Sequence, residues 1–184
     1  IMITPYLDGN YPLFLKKLDL LKFHDIELLQ LRLTRDESIN KLVSKKIKRN
    51  YFDKIKIMIN GRTSDFDADY FDGVHLPFYE AKKLSARPVK KTHLFSVSCH
   101  NKEEIEHANL IDPDFVYLSP INKTMSHPNL DSLGWFEAEK IAATSKKPVY
   151  ALGGVSIADA PRAIEKGFQG IAGITTFWDN VYKI

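Results

Sequence analysis

At 184 residues, 44% of them hydrophobic and 27% charged, the chain has the length of one domain and the composition of a soluble protein with its own core. A net charge of +3, with lysine pairs scattered at Lys16-Lys17, Lys45-Lys46, Lys82-Lys83 and Lys146-Lys147, argues against a nucleic-acid footprint and suits a small anionic ligand. The single Cys99 excludes an internal disulfide, no apolar run nears the ~20 residues of a membrane span, and the start IMITPYLDG lacks signal-peptide features, so a cytoplasmic protein without membrane or nucleic-acid partners is expected.

Residues 1–4 form a short apolar run closed by Pro5, a first strand. Over residues 11–23 leucines and Phe14 recur at helical spacing, which predicts an amphipathic helix. Residues 26–33, IELLQLRL, read as a second strand interrupted by Gln30 and Arg32. Asp36 is then an N-cap, and Ile39, Leu42, Val43 and Ile47 mark the core face of the following helix. Residues 54–60 form a third strand that ends at Asn60-Gly61-Arg62, and residues 63–71 carry no clear period. Residues 73–76 are a fourth strand and 79–84 a short helix. A fifth strand at 93–99 leads to Asn101, which caps a helix containing Ile105 and Ala108.

Residues 115–119 are a sixth strand, followed by a polar loop at 120–131 and a helix at 133–144. Residues 148–152 form a seventh strand closed by Gly153-Gly154; Ser156 caps a helix that runs to Lys166, Gly167 stops it, and 170–174 form an eighth strand. Eight strands alternating with helices, without a break in composition, predict one α/β domain over residues 1–184. Its architecture is a compact (β/α)8 TIM barrel with shortened helices 3, 4 and 8, and a doubly wound open sheet is the runner-up.

The unusual polar residues then collect at the carboxyl ends of the strands. Gln30 and Arg32 end the second, Asn60 the third, His75 the fourth, Ser98 and His100 the fifth, and Ser119 the sixth. Gly153-Gly154 end the seventh, and Thr175-Thr176 the eighth. In a barrel these positions share one mouth, where active sites are built. The glycine pair lets backbone N–H groups approach an anion with no Cβ in the way, as a phosphate anchor requires. Bland accounts stand beside each reading. Arg32 suits a structural ion pair, His75 a satisfied core histidine, and the glycine pair an ordinary turn. Cys99 points opposite to Ser98 and His100 and is a small buried filler. His93, His107 and Glu103-Glu104 lack metal-ligand spacing, so no zinc site is expected.

These motifs, in this order, resemble those of thiamine phosphate synthase and its relative, the TenI thiazole tautomerase. The resemblance covers nearly the whole chain. It rests on QLR at Gln30–Arg32, IMINGR at Ile57–Arg62, DGVHL at Asp72–Leu76, S-x-H at Ser98–His100, SPI at Ser119–Ile121 and ALGGV at Ala151–Val155. It implies the same barrel, a homodimer, and a synthase reaction that joins hydroxymethylpyrimidine diphosphate to a thiazole phosphate with Mg²⁺ on the departing pyrophosphate. The chain departs from that pattern on the diphosphate side. Gly61 replaces an aspartate, Thr34 a lysine, and Thr124-Met-Ser126-His127 a T-x-T-K loop, while only Glu80 offers a carboxylate after V-H-L. Each lost contact to the developing charge is worth roughly 2–4 kcal/mol.

The thiazole phosphate side is retained. The resemblance implies that Gly153, Gly154, Ile174 and Thr175 hold the phosphate and that Gln30, Asn60, Ser98, Thr124 and Ser126 line the substrate. The first expectation is therefore a thiazole tautomerase without a cofactor, using His100 as acid/base and Arg32 to position a carboxylate. The alternative is a divergent synthase in which Glu80, alone or with Asp65 or Asp67, holds Mg²⁺. A non-catalytic binder of a thiamin precursor is a further alternative, and a phosphosugar isomerase a distant one.

Overall fold

The computed structural model describes residues 1–6, 14, 26–32, 34–51, 54–124 and 131–182. The predicted helix at 11–23 falls outside them apart from Phe14, which is buried against Trp178 with ring centroids 5.3 Å apart. Eight strands pair in chain order, every pair parallel. They are β1 Met2–Ile3, β2 Leu28–Leu31, β3 Lys56–Asn60, β4 Gly73–Leu76, β5 Leu94–Cys99, β6 Phe115–Leu118, β7 Val149–Ala151 and β8 Gly170–Ile171. A parallel bridge between Met2 and Gly173 closes the sheet on itself, with Ile3 N–H donating to Gly173 O at 2.9 Å. The closed (β/α)8 barrel is the architecture that the alternation predicts, and the open sheet is ruled out.

The period of two explains where each side chain goes. Leu29, Leu31, Ile57, Ile59, Val74, Leu76, Val97, Cys99, Val116 and Leu118 pack outward in the large cluster beneath the helices. Ile3, Met58, Phe115, Tyr117 and Ala172 form a second cluster inside the barrel. Gln30, His75, Ser96 and Ser98 alternate with the outward set and so share the inner side with that cluster, Gln30 paired in register with Met58, Ser96 with Phe115 and Ser98 with Tyr117. Cys99 lies in the outer cluster, where burial and the nearby Glu104 carboxylate push its thiol pKa up, so it is no nucleophile.

The helices among the described residues are α1 Glu37–Tyr51, α2 Phe78–Ala81, α3 Lys102–Ile111, α4 Gly134–Ala142, α5 Ala160–Glu165 and α6 Thr175–Tyr182. A single 3₁₀ turn, Thr63–Asp65, follows β3, and α2 spans four residues after β4. The segments after β3 and β4 are thus short as expected, whereas the eight-residue α6 is longer than the six-residue α5 and is not set apart as a shortened helix. Asp36 accepts from Ser38 N–H at 3.0 Å at the start of α1, and Asn101 Oδ1 accepts from Glu104 N–H at 2.9 Å at the start of α3.

One core assignment is corrected. Leu42 is 62% exposed, because the buried face of α1 runs through Asn40, Val43, Ser44 and Ile47. Asn40 Nδ2 donates to Thr34 O at 2.9 Å and Ser44 Oγ donates to Tyr70 O, so each of the two polar residues on the inner stripe has a partner, while Asn40 Oδ1 is buried without one among the described residues. At 100° per residue Leu42 is then turned to solvent.

Candidate active site

A cavity of about 1380 Å³ opens at the carboxyl ends of the strands. Arg32, Asn60, Ser98, His100, Thr124, Gly153, Gly154, Ile174 and Thr175 all line it, so the barrel brings together nine of the eleven expected site residues. Gln30 lies buried in the barrel interior and does not line the cavity: its Nε2–H donates to Asn60 Oδ1 at 2.8 Å. Ser126, like His127, lies outside the described residues.

Gly153 and Gly154 stand at φ +89° and +64°, in the left-handed region, where a side chain is strained. Space alone would exclude one as well. A Cβ at Gly153 would meet Pro120 Cα at 2.8 Å, and one at Gly154 would meet Lys123 O at 2.5 Å. The chain needs this approach because the loop after β6 runs directly over the pair. Ile121 N–H donates to Leu152 O and Asn122 N–H to Gly153 O, each at 3.0 Å, and Asn122 Nδ2 donates to Gly154 O at 3.0 Å. The carbonyls are thus consumed. The N–H groups of Gly153, Gly154 and Val155 meet no acceptor among the described residues. Ser156 N–H, by contrast, is taken by Asp159 Oδ2 at 2.8 Å. The first turn of α6 begins at Thr175 on the same cavity wall, bringing a second set of helix-start amides and its dipole. An anion is the chemical complement of this corner.

The charge of the mouth is predominantly positive. Arg32, Arg35, Arg62 and Lys123 line it, against Glu37 and Asp65. Both carboxylates are already engaged: Glu37 pairs with Lys41 at 2.8 Å, and Asp65 accepts from Arg62 N–H at 2.7 Å and from Arg62 Nη2 at 3.0 Å. Arg32 donates its backbone N–H to Thr4 Oγ1 at 2.7 Å, while its guanidinium makes no hydrogen bond or ion pair with the described residues. A structural ion pair therefore has no partner there.

Histidine 100 is half exposed at the end of β5, and its ring is held from below. Glu104 Oε2 lies 2.8 Å from Nδ1 and also accepts the His100 backbone N–H at 2.8 Å. With Nδ1 turned to the carboxylate, Nε2 is the nitrogen left for a ligand. Sequence reasoning missed Glu104. The available signal was the spacing of four from His100 across an Asn101 cap, which puts the carboxylate in the first helical turn beneath the ring.

The carboxylates expected for Mg²⁺ do not fit a divalent ion. Glu80 does not line the cavity and bonds Lys83 Nζ at 2.9 Å; Asp67 bonds Lys41 Nζ at 2.8 Å; Asp65 is held by Arg62. Among the described residues no group of three His, Cys, Asp or Glu converges on one point. Asp65 Oδ2 also fills the space that a Cβ on Gly61 would occupy, so its carboxylate sits where an aspartate at 61 would begin. No helix among the described residues is long and apolar enough to cross a membrane.

Comparison with known proteins shows the family. A family model described as thiamine monophosphate synthase matches residues 6–177. A relative from Aquifex aeolicus named putative thiamine-phosphate synthase 2 is 31% identical over 168 residues, covering 89% of each chain. A thiamine-phosphate synthase from Fusobacterium nucleatum is 30% identical over 155 residues, covering 82% of this chain and 74% of its own. Among solved structures, thiamine phosphate pyrophosphorylase from Pyrococcus furiosus superposes with a TM-score of 0.68 at 19% identity, over 95% of this chain and 84% of that one, a likeness of fold. With the family model matching nearly the whole chain and relatives of matching length, the chain belongs to the thiamine monophosphate synthase family, enzymes of thiamine biosynthesis.

Proposed function

We propose that the mouth binds a phosphorylated thiazole, its phosphate seated on the amides of Gly153, Gly154 and Val155 and the first turn of α6. The observation that carries this reading is the set of left-handed, close-packed glycine amides that meet no acceptor among the described residues. The ring would then lie toward Arg32, Ser98 and His100, which line the same cavity.

For the chemistry, the first reading is thiamine-phosphate synthesis, which the names of the relatives support. The thiazole nitrogen forms a C–N bond to the pyrimidine methylene carbon as the C–O bond to the diphosphate breaks. Arg32, Arg35, Arg62 and Lys123 supply positive charge in the mouth for the departing group. No step is routed through Mg²⁺, because the paired carboxylates do not fit it.

A second reading is tautomerisation of a thiazole carboxylate phosphate, which the His100–Glu104 pair supports. His100 Nε2 would move the ring proton while Arg32 holds the carboxylate. Offering the purified chain each substrate set separates the two readings. Thiamine phosphate formation supports the first, and aromatised thiazole alone supports the second. Failure of a thiazole phosphate to bind at all would overturn the anchor beneath both.

A further inference from the structure

A phosphate monoester carries about −1.5 to −2 charges at pH 7, while backbone amides and a helix start offer only partial positive charge, roughly half a unit for a helix dipole. The glycine corner therefore calls for a cation. Of the lysines and arginines described, four line the mouth: Arg32, Arg35, Arg62 and Lys123. Arg62 is paired with Asp65 at 3.0 Å. Arg32 and Arg35 follow β2, which the closed strand order sets three strands away from β7. Lys123 belongs instead to the loop that lies on the glycine pair, and its carbonyl O stands 2.5 Å from the place a Cβ on Gly154 would take. It is exposed on the cavity wall, and its ammonium makes no hydrogen bond or ion pair with the described residues.

The loop holds Lys123 in that place. Just before it, Asn122 N–H donates to Gly153 O and Asn122 Nδ2 to Gly154 O, each at 3.0 Å. The returning end of the loop is tied as well, Leu133 N–H donating to Pro120 O and Gly134 N–H to Ile121 O, each at 2.9 Å. A lysine one residue past such a staple has its backbone fixed and only its flexible stem left to order. We propose that Lys123 is the cation of the anchor. Its ammonium neutralises the phosphate held on the Gly153–Val155 amides and makes the corner select a phosphorylated thiazole over the thiazole without phosphate. This rests on the phosphate seat proposed above and adds the residue that gives the seat its charge. Lys123 contributes to the positive mouth as a whole, but its place beside Gly154 ties it first to the phosphate that stays on the substrate.

Calorimetric titration of the full chain with thiazole phosphate, and with the same thiazole lacking its phosphate, tests the role of Lys123. Lys123→Gln weakens the phosphorylated ligand about tenfold or more, the loss of one charge-assisted contact, and the dephosphorylated one less than about twofold. Lys123→Arg stays within about threefold of the unaltered chain, and in Lys123→Gln log Kd depends less steeply on log salt, which loss of a merely structural loop contact does not produce. The side chain is exposed, so Tm stays within a few degrees. Equal weakening of both ligands, or of neither, overturns the proposal. Amide spectra of the unaltered chain keep this claim apart from the phosphate seat itself. Shifts at Gly153, Gly154 and Val155 with an unchanged affinity in Lys123→Gln leave the seat standing and remove Lys123 from it. Failure of the unaltered chain to bind thiazole phosphate overturns both.

Discussion

Glu104 Oε2 accepts two hydrogen bonds from one residue, the backbone N–H and the Nδ1 side of His100, both at 2.8 Å. A carboxylate held this way fixes both the rotamer and the tautomer of the ring, because the backbone bond leaves it little freedom to move off Nδ1. On the tautomerase reading His100→Asn lowers kcat by at least about 100-fold while thiazole phosphate affinity changes less than about threefold. Glu104→Gln keeps a hydrogen-bonding group but loses the charge, and its kcat falls about tenfold with a shifted pH–rate limb. Steady-state kinetics across pH check both. If His100→Asn leaves turnover intact, the dyad has no catalytic part.

The glycine corner gives a sharper expectation. A Cβ at Gly154 would be forced into left-handed backbone and within 2.5 Å of Lys123 O. Gly154→Ala therefore costs roughly 1–2 kcal/mol of backbone strain and pushes the loop after β6 away from the anchor. KM for the phosphorylated thiazole rises at least about tenfold, read by kinetics or calorimetry. The same substrate without its phosphate is affected less.

Magnesium titrated against the full chain gives no saturable heat below about 1 mM, the weak end of the range for oxygen-ligand sites. The reason is local pairing: Asp65, Asp67 and Glu80 each already face a cation. Tight, stoichiometric Mg²⁺ binding to the unliganded chain would contradict that assignment.

The buried imidazole makes stability depend on pH in a fixed direction. His75 has its folded pKa lowered from 6.5 to about 3. Below pH 6.5 the unfolded state takes up a proton that the folded state refuses. Its contribution is therefore fully present above 6.5 and is lost as pH falls toward 3, at up to roughly 1.4 kcal/mol per pH unit. Urea midpoints measured from pH 7 to 5 fall for the unaltered chain, and His75→Gln flattens that slope. A parallel decline in the variant would assign the loss to other groups.

The barrel was legible because its signals are local and repeated. An apolar run such as HLFSVSC, followed by the Asn101 cap and then a helical period, states a βα unit without any long-range knowledge. The mouth followed from the period of two, which put Gln30 with Arg32 and Ser98 with His100 on one side. The missing parts are those that depend on tertiary neighbours. Leu42 was misassigned because Asn40 and Ser44 found partners in Thr34 and Tyr70, contacts that no helical pattern encodes. His75 read as a satisfied core histidine, and it is one. What the pattern could not reveal is that one of its two partners, Ser98, also faces the cavity. That Asp65, four residues on, sets its carboxylate against Gly61 needed the 3₁₀ turn to be seen.

The central claim is that a phosphorylated thiazole is gripped by the backbone at Gly153–Val155. Backbone ¹H–¹⁵N spectra of the full chain, recorded while thiazole phosphate is titrated in, test it most directly. The account predicts saturable shifts at the amides of Gly153, Gly154, Val155 and Thr175, and much smaller ones with the dephosphorylated thiazole. Shifts confined to other parts of the mouth, with these four amides unmoved at saturation, would contradict it.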